Sequence, residues 1–263
     1  MLGAVIGDIV GSVYEHRPIK TKDFPLFSPG CGPTDDSVMT IAVAEGLLNT
    51  LGKGPKHVRA AVVEAMQKWG RRCPDAGYGA RFTAWLGEEQ PKPYNSWGNG
   101  SAMRVSAAGW LYPTIQLTTD HARYSAEVSH NHPEGVRGAE AVAAAIFLLR
   151  QGKTKTELKN YIRGVYRYDL NFTVEEIRPG YSFDISCQGT VPAAIVCFLD
   201  SDSFEDCIRN AVSLGGDSDT LAAIAGSIAE AYYEIPKTME ERALAYLDDE
   251  MKRVYERFKE KRL

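Results

Sequence analysis

The chain has 263 residues, 44% of them hydrophobic and 24% charged, which is ordinary globular composition with room for a sizeable core and a deep cleft. A formal net charge of -4 is a poor basis for gripping nucleic acid through its phosphates, and no strong nucleic-acid signature is present. No run approaches the roughly 20 apolar residues of a membrane span, so no membrane partner is expected.

The chain opens on MLGAVIGDIVG, an apolar stretch interrupted by Asp8 and lacking a cleavage site, so it reads as part of the fold rather than as a leader. Within GDIVGSVYE, Gly7 and Gly11 are spaced for close helix packing, and Asp8 and Glu15 lie on the same segment. An irregular loop follows over residues 16–33. Helix grammar then begins with TDDSVMTIAVAEGLLNT, where Thr34, Asp35 and Asp36 form an acidic first turn. The next helix starts with Pro55 at a first-turn position and is expected to stop at Gly70. A second long loop covers residues 87–103 and ends in WGNGSAMR. Its Gly-Asn-Gly-Ser turn ahead of a helix is suited to cradling an anion, although such turns also occur with no ligand. His130 and His132 sit just before a helix running from Pro133 to Gly152, and their spacing suggests turn polarity or one ligand contact more than a metal pair.

Thr154 and Glu157 form a capping box for the next helix. Another starts at Ser203 and stops at the Gly215-Gly216 pair. DSDTLAAIAGSIAEAYY is small and apolar nearly all round, which predicts a central, buried helix. One long amphipathic helix is expected from Pro236 to about Leu263. Its basic residues, Lys252, Arg253, Arg257, Lys259, Lys261 and Arg262, alternate with acids and read as a solvated face. Nine or more helices with short glycine- and proline-marked joints predict an all-α fold, a compact orthogonal multi-helix bundle forming a single domain over residues 1–263. The cysteines, Cys31, Cys73, Cys187, Cys197 and Cys207, contain no CxxC pair and are odd in number, which favours reduced thiols in a cytoplasmic protein. The sequence does not fix the oligomeric state, and a monomer is slightly favoured.

Asp35 and Asp36 on one helix, and Asp217 and Asp219 on another, are each explained as caps when taken pair by pair. A cap needs one carboxylate, however, and both helices are strongly apolar. Buried, clustered carboxylates repel each other, and a hard cation removes that penalty. Residues i and i+2 of a regular helix point about 200° apart. Asp217 and Asp219 therefore converge only if the turn is irregular, as the two preceding glycines permit. With the hydroxyls of Thr34, Ser218 and Thr220, the donors are hard oxygen throughout, which suits Mg²⁺ or Mn²⁺ rather than Zn²⁺.

In order, GDIVGSVYE, TDDS, GNGSAMR, SHNHPE, TVPAAI and GGDSDT resemble the ADP-ribosylglycohydrolase family, from residue 3 to about residue 236. The pairing of TDDS with GGDSDT about 180 residues later is the specific part. The resemblance implies a central dinuclear site for two divalent cations, Mg²⁺ or Mn²⁺, with Thr34, Asp35, Asp36, Asp217, Asp219 and Thr220 as ligands. It implies Glu15 beside the ribose, the loop Ser96, Trp97, Gly98, Asn99, Gly100 and Ser101 at the diphosphate, and His130 at the adenosine end. The implied reaction is hydrolysis of the bond between ADP-ribose and an N- or O-linked acceptor on protein, nucleic acid or a small molecule. A water made more acidic by the ions attacks C1″, and a carboxylate from Glu15, Asp36 or Asp217 takes or gives the proton. The short insert between Glu15 and Thr34 implies a small lid. Tyr14, Tyr78, Trp97 and Tyr181 are candidate pocket walls or simple core. The alternatives are a non-catalytic ADP-ribose reader and a structural member, like a lens crystallin of the family; the intact acids speak against the latter.

Overall fold

The computed structural model describes residues 1–263. In chain order its elements are α1 (Leu2–Gly11), α2 (Asp35–Leu48), α3 (Pro55–Arg72), α4 (Ala80–Gly87), α5 (Gly100–Met103), α6 (Ser106–Leu111), α7 (Ile115–Glu127) and α8 (Pro133–Arg150). They continue with α9 (Lys155–Tyr166), α10 (Val174–Ile177), α11 (Cys187–Leu199), α12 (Phe204–Ser213), α13 (Ser218–Ala229), α14 (Lys237–Tyr246) and α15 (Asp249–Lys261). There is no sheet; a lone antiparallel bridge joins Gly98 to Ser186. The fold is all-α, as the helix signals predict. No helix is long and apolar enough to cross a membrane.

The small, apolar α13 is central: every residue from Ser218 to Ala229 is buried, with α1, α8, α11 and α12 packed around it. Its closest partner is α1, also buried along its whole length. A glycine stripe makes that approach possible. A Cβ added to Gly3, Gly7 or Gly11 would lie 2.2 Å from Gly226 O, 2.0 Å from Ala222 O and 2.5 Å from Asp219 Cα, respectively. Those neighbours are backbone atoms that no rotamer change can move, so the two helices touch main chain to main chain. This contact sets Asp8 and the turn leading to Glu15 beside the start of α13. Around the pair, 76 buried apolar residues form one contiguous cluster.

Two boundaries differ from expectation. Helix α3 runs through Gly70 to Arg72. Gly70 is there for packing, because a Cβ would meet the Leu86 methyls at 2.7 Å. The single C-terminal helix is two: Leu247 is extended, and Asp248 accepts from the amides of Glu250 and Met251 at 2.8 and 2.9 Å to start α15. An Asp followed by first-turn acids is a start signal that the continuous amphipathic pattern concealed.

The connection from α1 to α2 lies flat against the molecule. Arg209 donates to the carbonyls of Lys22 and Phe24 at 2.9 and 2.7 Å, Arg242 to Phe27 O at 3.3 Å, and Lys20 to Tyr181 O at 2.6 Å and to Leu214 O. Tyr14 Oη pairs with Ser28 Oγ at 2.9 Å.

Candidate active site

The C-terminal turn of α1 and the N-termini of α2 and α13 meet at one point. Gly215 and Gly216, at φ +65° and +99°, turn the chain sharply into α13. Asp217 follows outside the helix at φ -73°, ψ 72°, and regular helix begins only at Ser218. Asp217 and Asp219 are thereby released from the helical period. Carboxylate oxygens of Glu15, Asp217 and Asp219 lie within 4.8 Å of one another. Thr220 joins this group to α2, its Oγ1 donating to Asp36 Oδ2 at 3.0 Å. The second oxygen, Asp36 Oδ1, is buried with no partner at all.

Neither pair is spent on capping. Thr34 caps α2, accepting from the Asp36 amide at 3.3 Å, and Asp217 makes no cap bond. Behind the turn stands Asp8, fully buried. Its Oδ2 accepts from the amides of Thr34 and Ser37, each at 2.9 Å, and its Oδ1 from Thr34 Oγ1 at 2.7 Å. Asp8 therefore shapes the TDDS turn from another helix. In the sequence it was only a polar break in an apolar run, and that break was its one signal.

Burial, then mutual repulsion, sets the electrostatics. Asp35 is pushed up to about 7 by burial and by the charges of Asp8 and Asp217. Burial raises Asp8 to about 6 against its hydrogen bonds. Asp36 and Asp219 are driven well above the ordinary carboxylate range by burial and by neighbouring acids. Burial also raises Glu15 and Asp217, the latter tempered by the Asn99 amide. An orphaned buried oxygen, hard-oxygen donors only, and carboxylates that resist ionising together fit divalent cations of the Mg²⁺ or Mn²⁺ kind.

From this acidic end a cleft of about 480 Å³ runs past Gly98–Gly100 to His130. Its far half is built by loops. Asn99 N donates to Ile185 O at 2.8 Å and Cys187 N to Trp97 O at 3.0 Å, stitching segment 96–101 to segment 184–187. Gly100 opens α5, so its N–H precedes the first intrahelical bond. His130 is buried, and burial plus the charges of Arg104 and Arg81 holds it well below its ordinary value, hence neutral. Its Nδ1 pairs with Ser129 Oγ at 2.9 Å, which also accepts from Arg104 at 2.8 Å. The arrangement that satisfies all three groups has Ser129 donating to Nδ1, leaving the imidazole proton on Nε2. That nitrogen would be 3.1 Å from a Cβ on Gly100. Arg81, bonded to Tyr94 O at 2.6 Å and lying over the Tyr94 ring, brings an exposed cation to this end.

Of the residues singled out by sequence, Glu15, Thr34, Asp35, Asp36, Ser96, Gly98, Asn99, Gly100, His130, Asp217, Asp219 and Thr220 line the cleft. Trp97 and Ser101 do not. The Trp97 ring lies against His132, and Ser101 Oγ donates to Gly135 O at 2.6 Å. His132 itself caps α8, accepting from the Glu134 amide at 3.1 Å. The candidate walls Tyr14, Tyr78, Trp97 and Tyr181 are absent from the lining; the aromatic residues present are Phe82, Tyr94 and Phe183. No residue of 16–33 borders the cleft, whose edge there is formed by Glu15 and Thr34 on either side of the insert.

A family model described as ADP-ribosylglycohydrolase matches residues 1–262. The human ADP-ribosylhydrolase ARH3 is 26% identical, covering 94% of this chain and 88% of its own. ADP-ribosylarginine hydrolase Tri1 of Pseudomonas putida is 27% identical over 89% and 70%. The ADP-ribosyl-[dinitrogen reductase] glycohydrolase of Rhodospirillum rubrum is 25% identical over 89% and 84%. A solved structure titled ADP-ribosylglycohydrolase-related protein complex superposes with a TM-score of 0.65 at 27% identity, covering 93% of this chain and 94% of its own.

Proposed function

The chain belongs to the ADP-ribosylglycohydrolase family of glycosidic-bond hydrolases, and from that premise we propose that it releases ADP-ribose from an N- or O-linked acceptor with two divalent cations, Mg²⁺ or Mn²⁺. Thr34, Asp35, Asp36, Asp217, Asp219 and Thr220 would hold the cations. The observation that carries this reading is the cluster of buried, mutually repelling carboxylates at one end of a cleft whose other end is neutral or cationic.

When bound, such ions grip ribose hydroxyls and acidify water. The residues of the chain do the rest. Glu15, half-buried at the edge of the cluster, has its carboxyl raised by burial and by Asp217, the direction that favours its taking or giving a proton. Asp36 and Asp217 are the other candidates for that transfer. The carboxylates also stabilise positive charge developing on the ribose in an oxocarbenium-like transition state. At the far end, Ser96, Gly98 and Gly100 border the diphosphate and the Nε2–H of His130 faces the adenosine side. The whole chain acts as one domain, and its five free cysteines suit a reducing compartment such as the cytoplasm.

The test is to incubate the purified protein with arginine-, serine- and nucleobase-linked ADP-ribose in Mg²⁺, Mn²⁺ or EDTA. Free ADP-ribose is expected with one of the ions and is lost with EDTA or in Asp219→Ala. Tight ADP-ribose binding without release from any substrate would sink the proposal.

A further inference from the structure

Asn99 lies in the loop that lines the cleft, and its side-chain amide is spent on two protein partners. Nδ2 donates to Asp217 Oδ2 at 2.7 Å and to Thr190 Oγ1 at 3.0 Å, all three groups being buried. The orientation of the amide is decided by its neighbours. Thr190 Oγ1 uses its own proton on Asp184 O at 2.9 Å, so toward Asn99 it can only accept, as can the carboxylate of Asp217. Both positions around that atom of Asn99 therefore require an NH₂.

The backbone of the same residue is equally committed. Asn99 N is bonded to Ile185 O, and Asn99 O accepts from the amides of Ala102 and Met103 at 2.8 and 3.0 Å. The residue is a junction held from three sides, and the one adjustable bond it offers goes to an acid of the cluster. We propose that Asn99 is a positioning residue for cation binding, fixing the Asp217 carboxylate through a relay that runs Asp184 O, Thr190, Asn99, Asp217. The inference rests on reading Asp217 as a cation ligand. An amide donor on one carboxylate oxygen fixes the plane of the group and helps keep it ionised, as hydrogen-bonded second partners do at metal sites generally.

The test is calorimetric titration of Mn²⁺ into the apo protein, with no substrate present, for the parent, Asn99→Ala, Thr190→Val and Thr190→Ser. Asn99→Ala is expected to weaken Mn²⁺ by about 10- to 100-fold. Thr190 does not line the cleft, yet Thr190→Val should weaken Mn²⁺ in the same direction by a smaller factor, and Thr190→Ser should restore it. ADP-ribose binding in EDTA should be unchanged in both Thr190 variants. Should Asn99→Ala fail to fold, the two Thr190 variants still decide the matter. Unaltered Mn²⁺ affinity in Asn99→Ala and Thr190→Val overturns the proposal, and a loss of ADP-ribose affinity in EDTA for Asn99→Ala alone would make Asn99 a direct ligand contact instead. A parent that binds no Mn²⁺ removes both the cation reading and this inference. A parent that binds Mn²⁺ but never ADP-ribose removes the hydrolase reading and leaves the relay standing.

Discussion

The two ends of the cleft are made by different means. At the acidic end, three helix termini deliver side chains, and the geometry is enforced by backbone contact between α1 and α13. At the far end, loops deliver main chain, and the geometry depends on hydrogen bonds between segments 96–101 and 184–190. The first construction concentrates unfavourable charge where packing is tightest; the second leaves apolar side chains such as Phe183 and Ile185 more than half exposed (52% and 59%). Stability and function should therefore oppose each other at the acidic end and be nearly independent at the far end.

The sharpest way to break that contrast is Asp36→Asn. It is expected to lower turnover by about 10³-fold, the scale of losing a transition-state charge partner. At the same time it should raise the melting temperature in EDTA, because a buried carboxylate with an orphaned oxygen is relieved of its charge. Loss of both activity and apo stability would mean the acids are structural. Next in size, Gly7→Ala forces a Cβ into the Ala222 carbonyl and should cost about 3 kcal/mol. A urea titration reads it, and an unchanged midpoint would show that α1 and α13 can separate without cost.

A smaller effect is the pH dependence of the cation-free protein. Asp35 is raised to about 7, and burial with neighbouring acids also drives Asp36 and Asp219 well above the ordinary carboxylate range. Above the ordinary carboxylate value of about 4, the folded chain thus holds protons that the unfolded chain has lost, and stability from these groups falls as pH rises. Below that value the penalty vanishes. Saturating Mn²⁺ should cancel it, so the gap in melting temperature between Mn²⁺ and EDTA should widen from about pH 5 to about pH 8. A gap that stays level would contradict the shifts. The smallest effect is at the far end: Arg81→Gln should raise KM roughly fivefold and leave kcat and melting temperature untouched, as expected for an exposed charge that binds ground and transition states alike.

How much of this was legible in the sequence follows the same division. Thr34–Asp36 and Asp217–Thr220 could be found because two acids in one apolar first turn are conspicuous, and the double glycine explained how they converge. Asp8 could not be assigned, since its partners lie 26 and 29 residues away on another helix. Asn99 was visible as a loop residue, but an amide aimed at a ligand and one aimed at an acid 118 residues along the chain look identical in sequence. Gly70 and Leu247 misled for related reasons: a glycine that admits Leu86 resembles a stop, and a helix broken by Asp248 keeps its amphipathic pattern across the break. Of the aromatics read as pocket wall or core, Tyr14, Tyr78 and Tyr181 pack against the core, a choice that depends on which loop folds over which helix.

The flattened connection from α1 to α2 has a consequence for selectivity. No residue of 16–33 borders the acidic end, so discrimination between a slim and a bulky leaving partner falls to the rim of the cleft. That rim is formed by the Ala76–Ala80 turn on one side and by Phe183 with Ile185 on the other. Re-aiming the enzyme toward a new acceptor should then be a matter of reshaping a doorway, with point changes at those few positions, and grafting a foreign connection between α1 and α2 should leave its preferences as they were.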